Sequence, residues 1–318
     1  MRALGLRPGD AVLVPAYHCG TEVEALVQAG LSCRFYEASE SLEPDQGELD
    51  SLVDDHVRAL FVIHYLGFPQ RVDRWRRWCD EHGILLIEDC AQAWLSTLDG
   101  RPLGSFGDLA IFSIYKTLGL PDGGALISRV VPPVTSVGRR LGVASAARKH
   151  VAWLMASVAP VDRLISRFEA GGPPTLALGD PATELSLLTR FLLPRLADPA
   201  AALRRRAHYA ALLGEFAAYV PPPFARLPEG ACPLVFPLET SGMSDVAARL
   251  NASGITARRL WPILHPLLPV ARFPGAASWH DRFLILPVHQ ELGEQDLDRV
   301  MTALHALLRR GRVDAVTI

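Results

Sequence analysis

The stretch GILLIEDCAQAWLSTLDGRPLGSFGDLAIFSIYKTLGLPDGGAL, residues 83–126, decides how the rest of the chain is read. It opens on an apolar run, Ile84 to Ile87, that closes on two acids, Glu88 and Asp89. A second apolar run over 109–115 contains Ser113 and ends on Tyr115, with Lys116 directly after it. The turn PDGG at 121–124 then leads into GALIS at 124–128. Apolar runs that are continuous rather than alternating predict strands covered on both faces, in a mostly parallel sheet. Ligands of such sheets bind outside the carboxyl ends of the strands. The reading therefore gathers Asp89, Gln92, Ser113 and Lys116 at one rim: a carboxylate, an amide, a hydroxyl and an amine.

Outward from that block the pattern repeats. AVLVPAY (11–17), LSCRFYEA (31–38) and RALFVIHY (58–65) read as strands, and TEVEALVQAG (21–30) and RVDRWRRWCDEHG (71–83) as helices. Thr21 and Glu24 have capping-box spacing, which predicts that Thr21 caps the first helix. Strands alternating with helices make an α/β architecture. Residues 130–185 mix a helical pattern with a Gly/Pro-rich loop. Residues 185–219 read as long and helical with a break near Pro194. Beyond them, ACPLVFPLE and RFLILPVH alternate with helical stretches as in a small α+β unit. The expected division is a large α/β domain over 1–190, then a connecting helix and small C-terminal domain over 191–318.

Composition narrows the class. The chain has 318 residues, 49% of them hydrophobic and 21% charged, with a formal net charge of -2. That balance gives no electrostatic case for nucleic acid or an anionic membrane as partner. No apolar run approaches membrane-spanning length. The five cysteines are scattered, with no CxxC pair and no histidines at metal-ligand spacing. No disulfide framework and no metal site is therefore expected, and a cytoplasmic location is. Only Lys116 and Lys149 can supply a primary amine from a side chain.

The groups at the rim suit pyridoxal 5'-phosphate. An acid paired with the pyridine nitrogen keeps it protonated, a lysine forms the Schiff base and can then shuttle a proton, and a hydroxyl can bind the phosphate. Each residue also has a plainer reading: Asp89 as a cap or surface charge, Lys116 as a solvated lysine, Ser113 and Gln92 as groups that satisfy backbone or core.

IEDCAQAW, GRPLGSFGD, AIFSIY with its following lysine, and PDGGAL resemble the DegT/DnrJ/EryC1/StrS family of sugar aminotransferases. So do GLRPGDAVLVPAYHC, RRRAHYAALL, GITARRLWPILHP and LPVHQEL. The resemblance implies the pyridoxal-phosphate-dependent transferase fold of the aspartate-aminotransferase type: a mainly parallel seven-stranded sheet flanked by helices, plus a smaller α+β C-terminal domain. It also implies a homodimer with its sites at the subunit interface. The implied activity is transfer of an amino group from a glutamate-like donor to a keto-sugar nucleotide. Carried over by position, Asp89 would meet the pyridine nitrogen, Gln92 the ring hydroxyl or the ring itself, Ser113 the phosphate, and Lys116 would hold the cofactor. Tyr17 or His18 would stack on the ring, and Trp261 and His265 would approach the substrate.

The chain departs from the family pattern twice. The family commonly spaces serine and lysine as SFxxxK, whereas SIYK here puts the lysine two residues early; either the loop is a shortened variant, or Leu118 falls at the lysine position. Family chains also usually carry a segment with a Gly-Thr-Ala helix start that binds phosphate, and the first residues here already match the family region C-terminal to that segment. The competing expectation is a non-catalytic relative acting as a binding or regulatory partner; a sugar dehydratase is a third reading. His64 and His289 are expected to be structural, and Arg204 to Arg206 to be the solvated face of a helix, while Arg258 and Arg259 could meet substrate phosphates.

Overall fold

The apolar runs form a six-stranded sheet. A computed structural model describes residues 4–120, 122–129, 176, 178, 184–240 and 245–314. The strands are β1 (Ala11–Pro15), β2 (Ser32–Tyr36), β3 (Val57–Ile63), β4 (Leu85–Asp89), β7 (Leu109–Ser113) and β8 (Gly124–Ser128), with a small hairpin of β5 (Thr97–Leu98) and β6 (Arg101–Pro102) between β4 and β7. Their order is β2-β1-β3-β4-β7-β8, parallel throughout except that β8 runs antiparallel to β7. The seven strands implied by the resemblance are six among the described residues.

Both faces of the sheet are covered, as continuous apolar strands require. On one face Leu13, Leu60, Val62, Leu86 and Phe112 pack against α3 (Val72–His82). That helix buries Val72, Trp75, Trp78 and Cys79 along one stripe and stops at Gly83, whose φ of 64° is the left-handed C-cap that glycine adopts without strain. The two indole N–H groups donate to Glu43 (3.1 Å) and Asp50 (2.7 Å), which anchors α3 over α2 (Gln46–Leu52). Truncating either tryptophan to Ala belongs to a class that costs about 3–5 kcal/mol. On the opposite face, Val12, Val14, Phe61, Ile63 and Ile87 belong to a cluster shared with the C-terminal part of the chain.

That part begins with α5 (Leu187–Leu196) and α6 (Ala201–Phe216), which follow the single turn α4 (Ile114–Thr117) in order. The helix runs through Pro194 rather than breaking there. The interruption falls at Asp198, whose side chain accepts from the Ala200 N–H at 2.8 Å. A three-stranded antiparallel sheet follows, with β11 (Phe283–Pro287) between β9 (Val235–Glu239) and β10 (Arg258–Arg259). Helices α7 (Val246–Ala252), α8 (Pro274–Arg282) and α9 (Glu294–Asp314) complete the chain. The helical pattern expected over 130–185, Lys149 included, lies mostly outside the described residues.

Candidate active site

Strand alternation sends neighbouring side chains of β4 to opposite faces. Ile87 lies in the cluster shared with the C-terminal part, and Asp89, two residues on, keeps that side. The same parity on β3 and β7 places Phe61, Ile63, Ile111 and Ser113 there. Together with Gln92, Lys116 and Trp261 they line one cavity of about 850 Å³. This is ample for a substituted pyridine with a further ligand beside it.

One Asp89 oxygen accepts from the Ala91 N–H at 2.8 Å. Burial, together with the Glu22 charge, pushes the Asp89 carboxyl up to about 6, with the Lys116 ammonium pulling the other way. Gln92 is buried, and its carbonyl oxygen accepts from the Leu66 N–H at 2.7 Å. Leu66 is held at a φ of 55°, so this bond fixes a left-handed residue. The Gln92 amide group is left to the cavity. Ser113 precedes α4, and its side chain does not cap that turn. Among the described residues Lys116 has no hydrogen-bond or ion-pair partner. Leu118 is buried in an apolar cluster with Ile114 and Leu120, and only Lys116 of the two alternatives reaches the cavity wall.

Other sequence-derived candidates sit elsewhere. Tyr17 is buried and packs against Tyr65 (5.7 Å between centroids) and Trp261 (4.8 Å). His18 stacks on Phe35 at 5.6 Å. Neither lines the cavity; the residue of that segment that does is Cys19. The reason is local: the backbone turns at Gly20 (φ 93°) into α1 (Thr21–Gln28), and the two aromatic rings are drawn into the core before the turn. His265 is buried and does not line the cavity either. Its Nε2 lies 3.3 Å from Glu24 of α1, and its Nδ1 accepts from the Leu267 N–H. The expected capping box is absent, because Gly20 is the N-cap and Glu22 reaches back to the Cys19 N–H at 2.8 Å.

The arginine triplet also divides differently. Arg205 is only 2% exposed and lines the cavity, on the stripe Ala201, Arg205, Tyr209, Leu212 and Phe216 that α6 buries. That stripe has helical spacing and was the signal available in the sequence. Arg258 and His289 line the cavity as well; Arg259 pairs with Asp281 instead.

The other acid of β4 has a separate role. Glu88 is fully buried on the opposite face, accepting from the backbone N–H groups of Gly104 (2.8 Å), Phe106 (2.8 Å) and Gly107. His64 Nδ1 accepts from the Gln70 N–H, which leaves Nε2 protonated to donate to Glu88 at 3.2 Å. Burial alone would raise the Glu88 pKa, but the His64 bond and the amides outweigh it and hold the pKa below the usual value. GRPLGSFGD is thus the loop that wraps Glu88, and a Cβ on Gly104 would overlap the Phe112 ring. Although His64, Glu88 and Cys90 have ligand atoms within 4.8 Å of one another, these hydrogen bonds leave the imidazole no lone pair for a cation.

A mostly parallel sheet with an acid and a lysine at adjacent strand ends, closed by a C-terminal antiparallel unit, defines the aspartate-aminotransferase-like fold of pyridoxal-phosphate-dependent transferases. Residues 1–130 match the sequence profile described as the DegT/DnrJ/EryC1/StrS aminotransferase family. Over those residues the chain matches that family, and pyridoxal phosphate is the cofactor the match supports. It is 35% identical over 131 residues to GDP-perosamine synthase of Vibrio cholerae, a match spanning 40% of this chain and only 36% of that relative. It is 28% identical to dTDP-4-dehydro-2,3,6-trideoxy-D-glucose 4-aminotransferase of Saccharopolyspora spinosa over 94% of this chain and 78% of the relative. The crystal structure of Streptomyces venezuelae DesV in complex with a ketimine intermediate superposes with a TM-score of 0.70 at 25% identity, covering 95% of this chain and 79% of that one.

Proposed function

We propose that this chain is a pyridoxal-phosphate-dependent aminotransferase that aminates a keto-sugar nucleotide, with a glutamate-like amino acid as donor. The observation that carries the reading is the convergence of Asp89, Gln92, Ser113 and Lys116 on one cavity. The residues fit the cofactor. The cavity is large enough, Asp89 keeps an oxygen beyond its bond to Ala91, and Lys116 is free of partners among the described residues. When bound, pyridoxal phosphate supplies an electron sink that stabilises negative charge at the substrate carbon.

The chain's own groups do the rest. The Asp89 carboxylate would hold a proton on a pyridine nitrogen, and a cation placed there would draw its raised pKa back down. The Gln92 amide, which lines the cavity, would hydrogen-bond a ring hydroxyl. The Ser113 hydroxyl opens towards a phosphate. The Lys116 amine would anchor the cofactor and, once released, would serve as the acid–base group at the substrate carbon. Trp261 and Arg258, both lining the cavity, offer an aromatic face and a positive charge to a nucleotide. Cys19 takes the wall position expected of Tyr17 or His18. Its thiol stays protonated, because burial and the Glu22 charge raise its pKa.

The reading includes a cytoplasmic homodimer. No helix among the described residues is long and apolar enough to cross a membrane. The edge strand β8 exposes Leu126 and Ile127, and α5 exposes Leu187 and Phe191, an apolar surface suited to a second copy. It also takes 1–190 as the cofactor-binding domain. The test is spectroscopic: addition of pyridoxal phosphate produces visible Schiff-base absorbance that glutamate discharges and Lys116→Ala abolishes. A folded protein that gives no such absorbance with the cofactor present, and the same melting temperature with and without it, contradicts the proposal and favours a binding partner without cofactor chemistry.

A further inference from the structure

Lys116 sits in α4, a single turn of four residues, and so short a helix has no stability of its own. Its closing carbonyl, that of Thr117, has no continuing helix to satisfy it. Two side chains from distant parts of the chain do so instead. Arg205 of α6 donates from Nη2 at 3.0 Å, and Gln290, after β11, donates from Nε2 at 3.0 Å. The two donors are joined, because the Gln290 side-chain oxygen accepts from Arg205 Nε at 2.6 Å. Arg205 Nη1 is tied in turn to the carbonyls of Leu234 (3.0 Å) and Pro233 (3.3 Å). Thr117 and Arg205 are both buried, and no carboxylate lies within ion-pair distance of the Arg205 guanidinium among the described residues. A buried cation surrounded by carbonyls is costly to keep, and its use here is geometric.

We propose that Arg205 and Gln290 are positioning residues: together they clamp the Thr117 carbonyl and so set the reach of Lys116 into the cavity. The short Ser113–Lys116 spacing makes such a clamp useful. The lysine leaves the strand early, and its backbone is then held from the C-terminal part of the chain rather than by a longer loop of its own. A cation at the C-terminal end of a helical turn also complements the turn's dipole.

This inference rests on Lys116 being the cofactor anchor, and the experiment separates the two. Pyridoxal phosphate is titrated into wild type, Gln290→Leu and Gln290→Glu, and the adduct on Lys116 is fixed with borohydride and quantified. The glutamate variant still accepts from Arg205 but, ionised, has no proton to give Thr117 or Glu291, to which Gln290 Nε2 also donates at 2.6 Å. Loss of one such bond is expected to weaken apparent cofactor affinity about tenfold in both variants. It also shifts the pH midpoint of the Schiff-base absorbance, which a purely structural contact would leave in place. A glutamate variant that matches wild type in affinity and midpoint overturns the clamp, whatever the leucine variant does. A wild type with no Lys116 adduct overturns the proposed function. In that case amide exchange decides the clamp alone: the Leu118 N–H, bonded to the Ile114 carbonyl across the turn, exchanges about tenfold faster in both variants if the clamp holds, and at the wild-type rate if it does not. Arg205→Lys, which keeps the charge but loses the fork, gives the same exchange result should either Gln290 variant fail to fold.

Discussion

Glu88 and Asp89 are adjacent in sequence and opposite in environment. Glu88 faces the α3 side, where three backbone amides and His64 satisfy it and its pKa is lowered. Asp89 faces the cavity, bonds one amide, and its pKa is raised to about 6. A fully satisfied buried carboxylate stabilises a fold; a partly satisfied one in a cavity is destabilising unless something else claims it. The contrast separates a structural acid from a reactive one on a single strand, with no difference in residue chemistry needed.

Each acid can be tested against the other. Glu88→Gln places an amide N–H group against donors it cannot accept from, so unfolding in urea is expected to show a loss of about 3–5 kcal/mol. A stability within 1 kcal/mol of wild type, roughly, would refute the description of the Glu88 knot. Asp89→Asn is expected to do the reverse. Stability changes by less than about 1 kcal/mol, while the single-turnover rate of amino transfer falls on the order of a hundredfold or more.

His18, buried outside the cavity, extends the contrast to a histidine. Both ring nitrogens lack hydrogen-bond partners among the described residues, and burial, reinforced by His265, holds its pKa down to about 3. The unfolded chain takes up a proton near pH 6.5 that the folded one refuses, so stability is lost as pH falls below that value. Asp89, raised, contributes with the opposite sign between about pH 4 and 6, so wild type must be compared with a variant rather than read alone. The difference between wild type and His18→Phe is expected to change by up to about 1.4 kcal/mol per pH unit below 6.5, with the phenylalanine protein the more stable. A constant difference from pH 4 to 7.5 would show that His18 titrates normally. The smallest effect concerns α1. Thr21→Ala should alter stability by less than about 0.5 kcal/mol, against about 1 kcal/mol for a true N-cap.

The same residues mark what could be read from the sequence. The central strands β1, β3, β4 and β7 were legible because each is a largely continuous apolar run, and the placement of Asp89, Gln92, Ser113 and Lys116 on one cavity follows from strand ends and parity. Arg205 was legible in principle, since it falls on the stripe of Ala201, Tyr209 and Leu212, but its charged neighbours disguised it as surface. Tyr17 and His18 misled because an aromatic suits a ring-stacking role; the turn at Gly20 hands the wall to Cys19 instead. Glu88 went unread because its partners are backbone amides, which any sequence carries. Gln290 had no local signal, because its contact with Thr117 spans 173 residues.

The proposed chemistry depends first on Lys116 as the cofactor anchor, and the chain's two lysines make that testable in one measurement. Protein incubated with pyridoxal phosphate, reduced with borohydride and digested should carry the pyridoxyl mass on the peptide containing Lys116. Finding that mass on Lys149, or on neither lysine, would contradict the assignment.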